Sequence, residues 1–258
     1  PLAESNMTKY LTQWTMDDVE SVGLLKIDFL GIRYLTMVSS IVEEIKKENP
    51  TFDITKINYQ DPKVYELFAK GKTEGIFQFE SSGMKEKLNL LKPTEFNDIV
   101  AMNALYRPGP MAQIEVYVRR KNKEEQVVYP HPHLEKILKD TYGVIVYQEQ
   151  IMLIAVNFAH MSLNEADNMR RAVSKKKKED LEYYGRIFVE KSVAAGYDLQ
   201  VAKKLFDLIV TFANYGFNKS HAVVYSMLAY RLAYLKVYYT KYFMTALLNN
   251  VISSEKKI

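Results

Sequence analysis

From position 34 onward the hydrophobic positions recur mostly at helical spacing, and strand-like alternation is confined to a few short stretches. Leu35, Val38, Ile41 or Val42, and Ile45 form a helical stripe that ends before Asn49-Pro50. Asp61-Pro62 reads as an N-cap with proline at the first helical position, opening a helix through Tyr65 and Phe68 that stops at Gly71. Ser81-Ser82-Gly83 leads into a helix to Leu91, and Pro93-Thr94 resets the chain for another through Ile99 and Leu105. Ile151, Ile154, Ala155 and Phe158 mark a further helix, Ser162-Leu163-Asn164-Glu165 is a capping box, Gly196 is a stop, and Asp198 caps the helix leading to Phe212. Two stretches read as strands: residues 23–30, mostly apolar with Asp28 inside, and residues 75–79, which alternate. The pattern predicts a mainly α (α+β) chain with a little strand near its start.

The stretch from Phe212 to Phe243 stands out because it sets a polar, basic turn before the most apolar helix. Tyr215-Gly216-Phe217-Asn218 is a turn cluster, and Ser220 is the predicted N-cap. Val224, Leu228, Leu232 and Leu235 make one stripe, and Met227, Tyr230, Tyr234 and Tyr238 a second. A helix apolar on two faces is buried, so its N-terminal end should present Lys219, Ser220, His221 and unpaired backbone N–H groups, an arrangement that attracts anions. A packed core helix with a polar turn before it satisfies the same pattern. Arg107-Pro108-Gly109-Pro110 reads as a rigid turn, and residues 121–133 as a polar surface loop.

With 258 residues, 48% of them hydrophobic, the chain can build a sizeable core. The absence of cysteine excludes disulfides and thiolate metal sites. No apolar run approaches a membrane span, and the start, Pro1-Leu2-Ala3-Glu4, is neither a signal peptide nor a methionine, so the sequence reads as an excerpt of a longer cytoplasmic chain. A net charge of +4 is mild, but its distribution is uneven. Arg170, Arg171 and Lys175 to Lys178 put six positive charges into nine residues. Arg171 and Lys175 share a helix face if the helix continues, a geometry suited to phosphate oxygens; a solvated surface face gives the same run of lysines. Asp28, flanked by Ile27 and Phe29, points away from them and faces water, a partner or a metal; alone it cannot hold two magnesium ions. His131, His133, His160 and His221 lack metal spacing. Of the 19 tyrosines, Tyr225, one turn after His221, is the candidate for contact with a ligand, the others being mostly core.

Residues 23–33 (GLLKIDFLGIR), 75–84 (GIFQFESSGM), 104–111 (ALYRPGPM), 142–150 (YGVIVYQEQ), 166–172 (ADNMRRA) and 215–222 (YGFNKSHA) together resemble, in order, the signatures of bacterial DNA polymerase III alpha subunits. The resemblance implies that residues 1–33 are a palm remnant in which Asp28 is a metal-ligand and catalytic aspartate. It implies that residues 34–258 are a multi-helical fingers domain. Arg170, Arg171 and Lys175 would hold the triphosphate of a dNTP, and Lys219, His221 and Tyr225 would face nucleotide or template. Mg2+ would serve the complete enzyme, with primer–template DNA as partner and the sliding clamp and other replisome proteins meeting parts outside this chain. The Asp-x-Asp pair and the glycine-serine loop of such palms are absent from the sequence, which makes this chain alone an incomplete catalyst. A non-catalytic helical module that binds nucleic acid or protein through the same basic surface is the competing reading.

Overall fold

Side-chain caps mark the starts of several helices of this chain. They are seen in a computed structural model that describes residues 2–3, 10–27, 31–175, 178–213 and 215–251. The chain divides into two units, residues 1–33 and 34–258. In the first, β1 (Leu2–Ala3) pairs antiparallel with β2 (Leu11–Thr12). Helix α1 (Met16–Ser21) follows, its N-cap Thr15 accepting from the N–H of Asp18. The strand expected over residues 23–30 does not form in its described part: residues 24–27 are irregular, with Leu24, Leu25 and Ile27 exposed. A strand needs a ladder partner, and residues 24–27 have none among the described residues. Residues 28–30, Asp28 included, lie outside the described residues.

The second unit is helical, as its pattern predicts. Helix α2 (Arg33–Glu48) buries Met37, Val38, Ile41 and Ile45. Leu35, placed on that stripe by spacing alone, is exposed. Helix α3 (Pro62–Ala69) opens as expected, the Asp61 carboxylate accepting from the N–H of Lys63 at 2.9 Å with proline in the first turn. Helices α4 (Ser82–Leu91), capped by Ser81, and α5 (Phe96–Leu105) come next. Helix α6 (Ala112–Lys121) was not legible in the pattern, because its polar residues dilute a stripe of only Ile114, Tyr117 and Val118. After α7 (Glu135–Leu138) and α8 (Gln148–Ala159), the Ser162–Glu165 box starts α9 (Leu163–Lys175) with reciprocal bonds of 2.8 and 3.2 Å. The chain then runs through α10 (Lys178–Ala194), α11 (Leu199–Ala213, capped by Asp198), α12 (Lys219–Tyr238) and α13 (Thr240–Val251).

The alternation of residues 75–79 makes turns instead of a strand. The N–H of Ile76 bonds the carbonyl of Thr73, the N–H of Phe79 bonds that of Ile76, and the Thr73 hydroxyl closes the ring onto the Phe79 carbonyl at 2.6 Å. Gly75 sits at φ +74° beneath α13, where a Cβ would come within 2.8 Å of Leu247 and 3.1 Å of Phe243. The turns send both Ile76 and Phe79 into the core, so the alternation reports burial and not extension.

Apolar clusters form among the described residues of this unit. One joins α8 to α11 through Ile151, Ile154, Phe158, Met169, Phe188 and Ile209. Another is built on α12, which packs on α3, α5 and α13. Ala222, Ser226, Ala229 and Ala233 make a row of small buried side chains along α12, and Asn103 of α5 reaches the Ala222 carbonyl and the Ser226 hydroxyl, both at 3.4 Å. Leu228, Leu232 and Leu235 are buried as expected, but Val224 is 61% exposed. Tyr230 is fully buried, its hydroxyl donating to the Asn58 carbonyl at 2.9 Å and accepting from the Asp61 N–H at 3.1 Å. The Lys236 ammonium bonds the Lys72 and Glu74 carbonyls, each at 2.8 Å, which pins the segment before the 73–79 turns to α12.

Helix α5 is tied to α6 by a buried charge. Asp98 has no exposed surface; its carboxylate accepts from the Thr94 N–H at 2.9 Å and stands 3.4 Å from the Lys121 ammonium, itself 8% exposed. Removing one partner of a buried ion pair leaves the other uncompensated, at a cost of about 3–5 kcal/mol. Asp98→Ala should therefore lower the free energy of urea unfolding by at least about 3 kcal/mol. A loss below about 1 kcal/mol, the size of one ordinary hydrogen bond, would show that Lys121 finds water when its partner goes.

Candidate functional site

Two helices begin side by side in the second unit. Phe217 donates its N–H to the Val146 carbonyl and accepts from the N–H of Gln148, both at 3.0 Å, so Tyr147 and Phe217 form a parallel bridge. Helix α8 starts immediately after Tyr147, and α12 two residues after Phe217, which sets their N-termini next to each other. Gln150 holds the segment entering α8: its carbonyl oxygen accepts from the N–H groups of Val146 and Tyr147 at 2.8 and 3.0 Å, and its amide donates to Thr141 at 2.8 Å. The apolar run 144–147 is buried, so this pair of helix starts is anchored in the core.

At the α12 end the N-cap is Asn218 and not Ser220, its Oδ1 accepting from the His221 N–H at 2.8 Å. The asparagine side chain reaches the third N–H of the helix from one residue before it, which leaves Ser220 inside the first turn. The Glu149 carboxylate covers the end from α8, with both oxygens 3.0 Å from the Lys219 N–H and Oε1 3.1 Å from the Asn218 amide nitrogen. The expectation of a row of unpaired N–H groups needs correction. Those of Lys219 and His221 are taken by acceptors within the chain, one of them an anion.

An aromatic column runs along the same end. The His221 ring stacks on Tyr225 with centroids 4.0 Å apart, Tyr225 meets Phe77 at 5.2 Å, and Phe77 meets Tyr34 of α2 at 5.2 Å. In the other direction Phe217 stands edge-on to His221 at 5.3 Å, and the Arg107 guanidinium lies 4.3 Å over the Phe217 ring. Arg107 also donates to the carbonyls of Ala104 and Tyr215, each at 2.8 Å, and burial lowers its pKa. Gly109, at φ +107°, lets the Arg-Pro-Gly-Pro turn pass under the Tyr215 ring, where a Cβ would stand 2.3 Å from a ring carbon. The sequence marked residues 107–110 as a turn, and the role of Arg107 as the end of this column emerges only in three dimensions.

Arg170 joins the site through α8. Its Nε and Nη2 donate to Asp167 Oδ1 at 3.0 and 2.7 Å, and its Nη1 donates to Gln148 Oε1 at 3.2 Å. Arg171 meets the other oxygen of Asp167 at 2.8 Å. The Arg170 bonds are the leading cause of a lowered Asp167 pKa. Two guanidinium charges against one carboxylate leave one net positive charge. The two side chains differ in freedom, Arg170 being 20% and Arg171 64% exposed. The Lys219 ammonium lies 5.3 Å over the Tyr147 ring. Through adjacent Gln148 and Glu149, the fold thus brings Arg170, Lys219, His221 and Tyr225 to one place.

The side chain of Lys175 lies outside the described residues, as do Lys176, Lys177 and Asp28. Among the described residues no group of three His, Asp or Glu side chains could hold a metal ion. His131 and His133 pack against each other and against Tyr197, and His160 closes α8 in a left-handed conformation. Arg107, Gln148 and Glu149 are the residues that sequence reasoning did not single out.

Residues 34–196 match the bacterial DNA polymerase III alpha subunit finger domain. The chain is 55% identical over its whole length to the DNA polymerase III subunit alpha of Bacillus subtilis (strain 168), covering 23% of that protein. It is 53% identical to the subunit of the same name from a Staphylococcus epidermidis strain, over 97% of the chain and 24% of the relative, and 52% identical to that of Staphylococcus aureus (strain COL), over the whole chain and 24% of the relative. The chain thus spans about a quarter of the length of these relatives.

The unequal burial of the two arginines has a measurable consequence. Arg170→Ala removes bonds to both Asp167 and Gln148 from a mostly covered position and should lower unfolding stability by about 1–3 kcal/mol. Arg171→Ala removes an exposed pair and should change it by less than about 1 kcal/mol. Denaturation midpoints of the two variants test this ranking, and equal losses would contradict it.

Proposed function

The chain belongs to the finger-domain family of bacterial DNA polymerase III alpha subunits, and from that premise we propose that its second unit takes up the incoming dNTP during template-directed DNA synthesis. The carrying observation is the meeting of two helix N-termini with Arg170 and Lys219 at one end of α12. Helix ends and guanidinium forks both favour phosphate, and held on core-anchored elements they are already oriented before the ligand arrives. Arg171, the freer of the pair, contacts the triphosphate oxygens directly. Arg170, braced by Asp167 and Gln148, offers its remaining N–H groups from a set position, and Lys175 extends the charge. Lys219 meets the phosphates from the other side. The rings of His221 and Tyr225 provide flat faces for base or sugar.

In this reading residues 1–33 are a palm remnant and residues 34–258 the fingers. Asp28 is one catalytic metal ligand, and Mg2+, when bound in the complete enzyme, supplies Lewis-acid stabilisation of the reacting phosphate. Primer–template DNA is the second substrate, and the sliding clamp and other replisome proteins engage parts of the parent beyond this chain. None of the helices among the described residues is long and apolar enough to cross a membrane. The proposed work on DNA would take place in the cytoplasm.

Kinetics of the full-length polymerase carrying this chain test the proposal. Arg171→Lys keeps the charge and loses the fork, and should raise the apparent KM for dNTP or lower kcat by about tenfold while leaving DNA affinity nearly unchanged, since a charge-assisted bond contributes about 1.5–3 kcal/mol. Weaker, more salt-dependent DNA binding with normal nucleotide kinetics would instead favour the reading as a module for the nucleic-acid backbone. The isolated 258-residue chain should not extend a primer with magnesium and all four dNTPs, because Asp28 alone cannot complete a two-metal site. Template-dependent extension by the purified chain would refute that assignment.

A further inference from the structure

One carboxylate stands where an incoming phosphate should be favoured. Glu149 lies in the first turn of α8, and its oxygens accept from the Lys219 N–H and the Asn218 amide at the start of α12, so it sits at two helix N-termini at once. The nearby Asp167 is matched by two arginines. Glu149, by contrast, is in none of the ion pairs found among the described residues, and its described partners are a backbone N–H and a neutral amide. Placing a negative charge beside a triphosphate site works against binding by Coulomb repulsion unless the charge can leave. The bonds holding it are of a kind that a phosphate oxygen replaces one for one.

We propose that Glu149 is an internal stand-in for a nucleotide phosphate: it closes the start of α12 in the free protein and is exchanged for the incoming triphosphate, which then accepts from Asn218 and Lys219. This rests on the nucleotide-binding role assigned to this end of α12 above. The exchange is acceptor for acceptor, so the donors stay satisfied before and after. Departure of the carboxylate frees the start of α12 from α8 at that contact, while the Tyr147–Phe217 bridge keeps the two elements in register and the bonds to Gln150 hold the segment that enters α8. Nucleotide arrival is thereby coupled to a local rearrangement at Asn218 and Lys219, next to the His221–Tyr225 stack.

The test uses the full-length polymerase on primer–template DNA, with the correct dNTP and, separately, pyrophosphate as a probe that has phosphates but no base or sugar. Glu149→Gln keeps the shape and an acceptor oxygen but removes the charge. It should tighten both ligands by about three- to tenfold, a gain that shrinks as salt is raised. Glu149→Ser, neutral and still able to accept one bond, serves as a second variant should the first fail to fold, and should tighten them too. Glu149→Asp, which keeps the charge, should not. Unchanged or weaker binding of both ligands in the two neutral variants would overturn the exchange and leave Glu149 as a latch between helices. If Arg171→Lys and Lys219→Ala also leave dNTP and pyrophosphate binding unaltered, the nucleotide-binding reading itself fails; if those two variants weaken binding while the neutral Glu149 variants do not tighten it, only the exchange fails.

Discussion

The pairing of Phe217 with the segment before α8 is the constraint on which the candidate site depends. Two backbone hydrogen bonds, Phe217 to Val146 and Gln148 to Phe217, join chain segments some seventy residues apart and set the starts of α8 and α12 beside each other. Glu149 can meet Lys219 because it opens α8 next to the opening of α12, and Gln148, one residue earlier on α8, links the same end to Arg170 of α9. Because Val146 and Tyr147 are buried, the bridge is shielded from water, and shifting it would leave backbone groups without partners in the core.

Helix α12 transmits this register to the rest of the unit. Its row of alanines and serine admits α5 closely, Tyr230 fastens the loop before α3, and Lys236 fastens the segment before the turns at 75–79. Those turns carry Phe77, which touches both Tyr34 and Tyr225. The aromatic column from α2 to Arg107 is therefore supported by the same contacts that bury α12. A side chain in it is held by packing on one side and open on another, the condition under which a ring can offer a face without reorganising.

The electrostatics of the site are balanced rather than simply basic. Asp167 orders two arginines and halves their combined charge, and Glu149 occupies a pair of helix ends that would otherwise attract any anion. On the proposed nucleotide-binding reading, a site so arranged would favour a ligand with several phosphate oxygens over a single small anion. Multiple charge-assisted bonds can then replace the internal ones together. That property suits a polyphosphate better than an isolated phosphate of a nucleic-acid backbone.

Much of this was legible along the chain. Local signals are those whose physics is completed within one turn: Asp61-Pro62, Ser81, the Ser162–Glu165 box and Asp198 all cap the helices they announce, because a cap needs only its own first-turn N–H groups. The basic pair at 170–171 and the turn before α12 were visible for the same reason, and the order of the six motifs carried the family. Apart from the N-cap of α12, which falls to Asn218 and not Ser220, the main failures came where one partner lies far away. Residues 75–79 alternate like a strand but meet no neighbouring strand among the described residues, Val224 follows the stripe yet is 61% exposed, and α6 hides its short apolar face behind polar residues. Neither the Glu149 contact nor the Arg107 column has any local signature. A carboxylate two residues before an apolar stripe and an arginine before a proline become parts of one site only when the Tyr147–Phe217 bridge sets the starts of α8 and α12 together, and that pairing is a property of the folded chain.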